Sequence, residues 1–280
     1  MKPAWLNKKI SLRDCFELKK ILREENLHTV CEEAQCPNVS ECFKKKQATF
    51  LIMGDTCTRA CRFCGVKKGK PSALDQDEPE RIARCVKGLN LSYVVITSVT
   101  RDDLLDGGAG FFVKTVNRIR QLNPETKIEV LIPDFKAETT ALEKLAKANP
   151  HIIAHNLETV PRLYPEIRQG ASYQTSLTVF RVLKSRCDIP LKSGLMLGLG
   201  ERKEEVLEVF KDLLSVGCSY LSLGQYLRPT LKHYPVKEYV LPEVFEEYRL
   251  KALSLGFKYV KSSPYVRSSY LAEEYIKYLF

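Results

Sequence analysis

No uninterrupted apolar run in the 280-residue sequence exceeds four residues, as at Tyr93–Ile96. A bilayer-spanning helix needs about 20, so a helical membrane span is excluded. Lys2, Lys8 and Lys9 are followed by no apolar stretch, and the expectation is a cytoplasmic chain without a secretory leader. There is no low-complexity linker and no exact internal repeat. The basic clusters Lys44–Lys46 and Lys67, Lys68, Lys70 are short and lack interleaved aromatics. They read as a solvated face, not as a nucleic-acid interface. Of only four histidines, His28, His151 and His233 read as structural or surface residues, and His155 ends a strand.

What is present is more telling. The charges sum to +10, 44 basic residues against 34 acidic, which speeds encounter with acidic partners. The 44% apolar content suffices for a sizeable core. Ten cysteines are many for a chain that is not exported, and six of them lie between residues 31 and 64. Such a block reads as metal binding rather than as a disulfide framework. Cys15, Cys85, Cys187 and Cys218 are scattered and read as inert core thiols.

Apolar, β-branched-rich runs recur at 48–53, 92–97, 127–132, 151–155, 191–197 and 219–223. Helical spacing separates them: Ile82, Val86 and Leu89; Val113, Val116, Ile119 and Arg120; Leu142, Leu145 and Ala146; Val206, Val209, Phe210, Leu213 and Leu214. Six alternations of strand and helix predict a parallel sheet with outer helices, best fitted by a partial (β/α)6 barrel. Ligands of such folds sit at the C-terminal strand ends. The expected organisation is an N-terminal extension (1–46), the α/β body (47–241) and a C-terminal extension (242–280). The last carries one more helix, a short strand near 257–261, and Arg267-Ser268-Ser269-Tyr270.

Cys57, Cys61 and Cys64 are spaced C-x3-C-x2-C directly after the first strand. Three thiolates hold three irons of a cubane and leave the fourth open, whereas a ferredoxin cluster or a structural zinc takes four ligands. A vacancy is what a cluster needs if a small molecule must bind it. C-x3-C-x-aromatic-C, with Phe63 as the aromatic, resembles the signature of radical S-adenosylmethionine enzymes. Gly194-Leu-Met-Leu-Gly198-Leu-Gly-Glu resembles that family's glycine-containing strand beside the adenosyl group.

The second block, Cys31-Glu-Glu-Ala-Gln-Cys36-Pro-Asn-Val-Ser-Glu-Cys42, is C-x4-C-x5-C. Together the two blocks resemble the lipoyl synthase family. The likeness runs over residues 31–274, through Thr97–Asp103, Val130–Phe135, His155–Pro161, Lys192–Met196, Gly224–Leu227 and Arg267–Tyr270. Phe43, Thr100 and Ser263-Pro264-Tyr265 depart from the usual pattern without touching a ligand position.

The resemblance implies insertion of two sulfur atoms, at C6 and C8, into an octanoyl chain held on a lysine of a lipoyl-carrier protein. Lipoyl domains of 2-oxoacid dehydrogenases and the glycine-cleavage carrier protein are the partners it implies, with a small reductant such as ferredoxin or flavodoxin. Nucleic acid and membrane are not. An aliphatic C–H bond has no useful acidity, so no side-chain base could remove its proton; a cofactor-derived radical takes the hydrogen atom. Two 4Fe-4S clusters and S-adenosylmethionine are implied. Cys57, Cys61 and Cys64 would hold the cluster that cleaves the cofactor, and Cys31, Cys36 and Cys42 the sacrificial sulfur donor. Its fourth ligand would be the oxygen of Ser269, with Ser268 the lesser candidate. Phe63, Gly194, Gly198, Glu158 and Arg168 are the cofactor-binding candidates; Arg101, Asp102 and Asp103 read as salt-bridge residues or weaker candidates. A two-cluster electron carrier, a zinc nucleic-acid module and biotin synthase chemistry fit less well. The first lacks thiolates, the second is at odds with the βα repeat, and the third with C-x4-C-x5-C.

Overall fold

Cys15, Leu18 and Leu22 fall on one helical face and are buried, which folds Leu12–Glu24 into α1. This computed structural model describes residues 2–8 and 11–278; Met1 and Lys9, read above as part of an unexported N-terminus, lie outside the described residues. The chain forms two compact units, one of residues 10–59 and 65–153, the other of residues 1–9, 60–64 and 154–280. This division cuts across the expected segments 1–46, 47–241 and 242–280.

In the first unit, β1 (His28–Thr29) leads into α2 (Val30–Glu33) and α3 (Val39–Lys44). β2 (Thr49–Ile52) is buried at all four positions, as a strand covered on both faces must be. β3 (Thr56–Cys57) and β4 (Lys67–Lys68) form a separate parallel ribbon. α4 (Glu78–Gly88), β5 (Tyr93–Ser98), α5 (Ala109–Leu122), β6 (Lys127–Leu131) and α6 (Thr139–Lys147) complete the βα alternation. β2, β5 and β6 are parallel, with Thr49 opposite Val95 and Tyr93 opposite Lys127. β1 pairs antiparallel with β2.

β7 (Ile152–Ala154) carries the division. The second unit continues through α7 (Tyr164–Ile167), α8 (Tyr173–Arg186), β8 (Leu191–Leu197), α9 (Lys203–Ser215), β9 (Cys218–Gln225), α10 (Pro242–Leu255) and β10 (Tyr259–Ser262). β8, β9 and β10 are parallel neighbours, with Leu195 opposite Leu223 and Val260 opposite Leu221. The expected α/β alternation of parallel strands is thus observed in both units. Among the described residues no helix is long and apolar enough to cross a membrane.

Two details differ from expectation. The buried face of α5 is Phe111, Phe112, Thr115, Val116 and Ile119, whereas Val113 and Arg120 are half-buried. The large ring of Phe112, edge-on to Phe135 at 5.9 Å, turns the helix onto that stripe. β1 and the β3–β4 ribbon were not foreseen, because two-residue strands carry no readable periodicity.

Candidate active site

β2 is followed by Met53 (φ +67°) and Gly54 (φ +89°), two left-handed residues that turn the chain sharply into β3. Cys57 follows at once. Its Sγ accepts from the backbone N–H of Thr100 at 3.3 Å and of Arg59 at 3.4 Å, donors suited to an anionic sulfur. Thr58 stitches this turn to the end of β5: its N–H and hydroxyl both donate to the Thr100 carbonyl, and its oxygen accepts from Asp102 N–H.

The Arg59 guanidinium lies between two carboxylates. It donates to Asp102 at 2.7 and 2.9 Å and to Asp134 at 2.5 and 2.8 Å. Burial works against the cation, but its bonds to Asp102 and Asp134 prevail and raise its pKa. The turn that carries Cys57 is therefore tied to the ends of β5 and β6 by a part-buried two-armed ion pair whose Asp134 arm is buried. Arg101 is a separate case: buried, it bonds Asp103 and the Met53 carbonyl, a structural role.

The other triple also lies in this unit. Thr29 caps α2, its hydroxyl accepting from Glu32 N–H, and presents Cys31 inward. Gln35 (φ +53°) reverses the chain, so that Cys36 N–H reaches the Cys31 carbonyl at 3.0 Å. Cys42 sits on α3, its N–H bonded to the Asn38 carbonyl. Burial, followed by the nearby charge of Cys36, pushes the Cys31 thiol up to about 12; Thr49 hydrogen bonds work the other way, and Cys42 adds to the rise. Cys36 and Cys42 are thus both felt at the Cys31 thiol. All ten cysteines lie outside disulfides. Three soft sulfur donors in each block fit an iron–sulfur cluster better than a hard cation.

Residues 60–64 belong to the second unit. Arg62 N–H donates to the Ile167 carbonyl, and Tyr234 N–H to the Arg62 carbonyl. His233 fixes Cys64: its Nε2 lies 3.0 Å from the Cys64 carbonyl and Nδ1 2.9 Å from the Thr230 hydroxyl. A carbonyl only accepts, so Nε2 carries the proton and the Thr230 hydroxyl donates to Nδ1. Cys64 N–H donates to the Cys61 carbonyl, and Phe63 between them is half-buried.

Arg168 is buried and donates to the Tyr164 hydroxyl at 2.7 Å and to Ser176 at 3.1 Å. Burial opposes its charge, yet Tyr164, Glu158 and Cys61 raise its pKa; its cation is felt at a predicted cluster ligand. Glu158 stands in the left-handed region at φ +68°, held there by its N–H to the Gly194 carbonyl and by Met196 N–H to its own carbonyl. Burial lifts its carboxyl above the usual range, against Arg168, the Asn156 amide and Arg267.

Two glycines open the sheet to the C-terminal segment. A Cβ on Gly194 would stand 2.8 Å from Asn156 Oδ1, Ser222 Oγ and Ser268 Oγ, and one on Gly224 only 2.0 Å from the Val266 carbonyl oxygen. Ser268 donates to Asn156 Oδ1 at 2.8 Å, and Asn156 in turn donates to Glu158 at 3.1 Å. Ser269, half-buried, makes no hydrogen bond among the described residues. Gly198, expected beside the cofactor, has a reason within the protein: φ is +93°, and Gln225 Nε2 and the Glu238 carbonyl would each lie 2.3 Å from its Cβ. The space over Gly198 is filled by these two groups.

Arg59, Asn156, Gly224 and His233 were not singled out as site residues from the sequence. Arg59 lies within the C-x3-C spacing, and Asn156 and Gly224 within the stretches His155–Pro161 and Gly224–Leu227 that carry the likeness; glycine in a strand is in addition a mark of close approach. Of the scattered cysteines, Cys15, Cys85 and Cys218 are buried, and burial pushes Cys85 up to about 12. Cys187 is half-buried at the end of α8.

The Radical SAM superfamily signature covers residues 51–213. A lipoyl synthase of Caldicellulosiruptor saccharolyticus is 58% identical over 278 residues, spanning 99% of this chain and 98% of that one. One of Geotalea uraniireducens is 56% identical over 275 residues, 98% and 97% of the two chains. Among solved structures, Streptococcus suis SuiB bound to S-adenosylmethionine is similar at a TM-score of 0.58 and 16% identity, covering 78% of this chain and 51% of that one. The FeFe-hydrogenase maturase HydG of Carboxydothermus hydrogenoformans matches at 0.58 and 13%, covering 82% and 64%. These longer chains share the fold.

Proposed function

The chain belongs to the lipoyl synthase family of radical S-adenosylmethionine enzymes, and from that premise we propose how its own residues divide the work. The reaction is sulfur insertion at C6 and C8 of an octanoyl chain on a lipoyl-carrier protein. Cys57, Cys61 and Cys64 hold one 4Fe-4S cluster; Cys31, Cys36, Cys42 and the Ser269 oxygen hold a second. When bound, the first supplies the electron that cleaves S-adenosylmethionine into methionine and a hydrogen-abstracting radical, and the second supplies the sulfur.

The observation that carries this reading is the presence of two cysteine triples, C-x4-C-x5-C and C-x3-C-x2-C, in one βα chain. The protein's task is to hold soft ligands in place while leaving one metal position in each block for a non-thiol ligand. Arg59, clamped by Asp102 and Asp134, fixes the turn at Cys57. His233 and Tyr234 fix the strand of chain between Cys61 and Cys64. Arg168 offsets thiolate charge at Cys61. Glu158 and Arg168, with Phe63 and Gly194, are the groups we assign to the cofactor.

Ser268 is engaged by Asn156, which supports Ser269 as the oxygen ligand. A hard alkoxide on a soft cluster is a weak match and suits a cluster that must be dismantled. The 1–46 extension then supplies the auxiliary thiols, 47–241 the radical site and 242–280 the serine. Carrier lipoyl domains and the glycine-cleavage carrier protein are the proposed substrates, in a reducing cytoplasm. The test is anaerobic reconstitution, iron and sulfide counting, and incubation with an octanoylated peptide and S-adenosylmethionine. Two cubanes and a lipoyl peptide are expected; tightly bound zinc or an unchanged octanoyl peptide would refute the reading.

A further inference from the structure

We infer that the exposed run Lys67-Lys68-Gly69-Lys70 is the docking surface for an acidic one-electron donor protein. The inference rests on the proposed role of Cys57, Cys61 and Cys64 as ligands of the radical cluster. From the sequence these lysines looked like an ordinary solvated face. The fold gives them an address. β4 runs parallel to β3 with Lys67 opposite Thr56 and Lys68 opposite Cys57, and Gly69 N–H donates to the Cys57 carbonyl at 3.0 Å.

Neighbouring strands lie about 4.8 Å apart, so the backbone of Lys68 is the layer of chain next to Cys57. Residues 67–70 are all exposed. Lys67 stands 3.8 Å from Asp55, while Lys68 and Lys70 have no carboxylate partner among the described residues. A cysteine assigned to the electron-accepting cluster is therefore covered by a strip of largely uncompensated positive charge.

Electron delivery needs proximity rather than a deep groove. Electron-transfer pairs use small, transient contacts, and charge complementarity sets their orientation and encounter rate. A substrate chain needs a concavity instead. The first unit has a small hollow lined in part by Thr100, Leu104, Pro133, Phe135 and Lys136, away from the exposed lysines of the ribbon. The ribbon fits the donor better than it fits the carrier. The step is a single electron: an anionic flavin hydroquinone on the donor becomes its neutral semiquinone, the electron passes to the cluster, and no proton moves.

The test compares Lys68→Glu/Lys70→Glu with Lys251→Glu/Lys258→Glu, four exposed lysines giving two variants of equal net charge. Reconstituted protein is titrated with oxidised flavodoxin at low and moderate salt by calorimetry. Cluster reduction is then followed by stopped flow, with flavodoxin hydroquinone and with the methyl viologen radical cation. The ribbon variant should bind flavodoxin about tenfold more weakly, with a flatter salt dependence and slower reduction to match, and the control within about twofold of wild type. Viologen, itself a cation, should reduce the ribbon variant no more slowly than wild type or the control. Wild-type binding by the ribbon variant, or an equal loss in the control, would overturn the inference. So would weakened binding of an octanoylated lipoyl domain with flavodoxin binding intact. If viologen reduces no cluster in the wild type, the cluster assignment fails, and the inference with it.

Discussion

Replacing Arg59 with alanine deletes a guanidinium that makes four hydrogen bonds of 2.5–2.9 Å to Asp102 and Asp134. Asp134 is only 1% exposed and keeps the Lys136 N–H as a donor, so the variant leaves a buried carboxylate without its counter-charge, beside a part-exposed Asp102 that keeps Lys136 at 4.0 Å. Breaking a buried pair by removing one partner costs about 3–5 kcal/mol. At about 2.1 cal/mol/K per residue, a loss near 4 kcal/mol lowers the midpoint of a chain this long by about 7 °C. Arg59→Lys should recover only part of this, because a point charge cannot bridge two carboxylates bidentately. Arg59→Gln combined with Asp134→Asn should lose less than the sum of the two single changes, since the pair is coupled. The assay is urea and thermal unfolding of the protein before iron loading, followed by iron counting after reconstitution. Arg59→Ala should also retain less iron on the Cys57 triple. A loss under about 1 kcal/mol, the range of a surface pair, would refute the claim that this ion pair anchors the turn.

Ser269→Ala should cleave S-adenosylmethionine normally yet make little lipoyl product, while Ser268→Ala loses about 1 kcal/mol with its bond to Asn156; mass spectrometry of the peptide and urea unfolding separate the two. Gly224→Ala places a Cβ 2.0 Å from the Val266 carbonyl. It should cost about 2–3 kcal/mol by forcing the 263–270 segment off the sheet, read as lower stability together with lost sulfur insertion. Hydrogen bonds from Arg162, aided by Arg202, hold the Glu205 carboxyl down to about 2 from an ordinary 4.5. Since the folded value is the lower one, its stabilisation is full above 4.5 and lost as pH falls towards 2. Arg162→Ala should flatten the acid limb of a stability–pH curve over that window and change neutral-pH stability only slightly, as for a solvent-screened surface pair.

Strand positions were legible because a parallel strand buried on both faces must be a continuous apolar run. The reading at 92–97 falls on β5, Tyr93–Ser98, which is built on Val94-Val95-Ile96. The cysteine blocks were legible for another reason: ligand spacing is local in sequence. The pieces that hold the ligands were not, because they come from afar. Arg59 meets Asp134 across 75 residues, His233 meets Cys64 across 169, and Ser268 meets Asn156 across 112. No window of sequence contains both ends of such a bond. At Gly198 the sequence leaves two reasons for a glycine open, a positive φ and close approach of a ligand, and the structure shows the first.

The central claim, that the thiols of Cys31, Cys36 and Cys42 hold the sulfur that enters the product, is tested most directly by isotope. The protein is reconstituted with heavy-isotope sulfide, freed of excess, and turned over once in light sulfide with an octanoylated peptide. Both inserted sulfurs should be heavy, yield should stop near one lipoyl group per polypeptide, and a Cys31→Ala/Cys36→Ala/Cys42→Ala variant should cleave S-adenosylmethionine without inserting sulfur. Light sulfur in the first-turnover product, or lipoyl formation by that triple variant, would contradict the account.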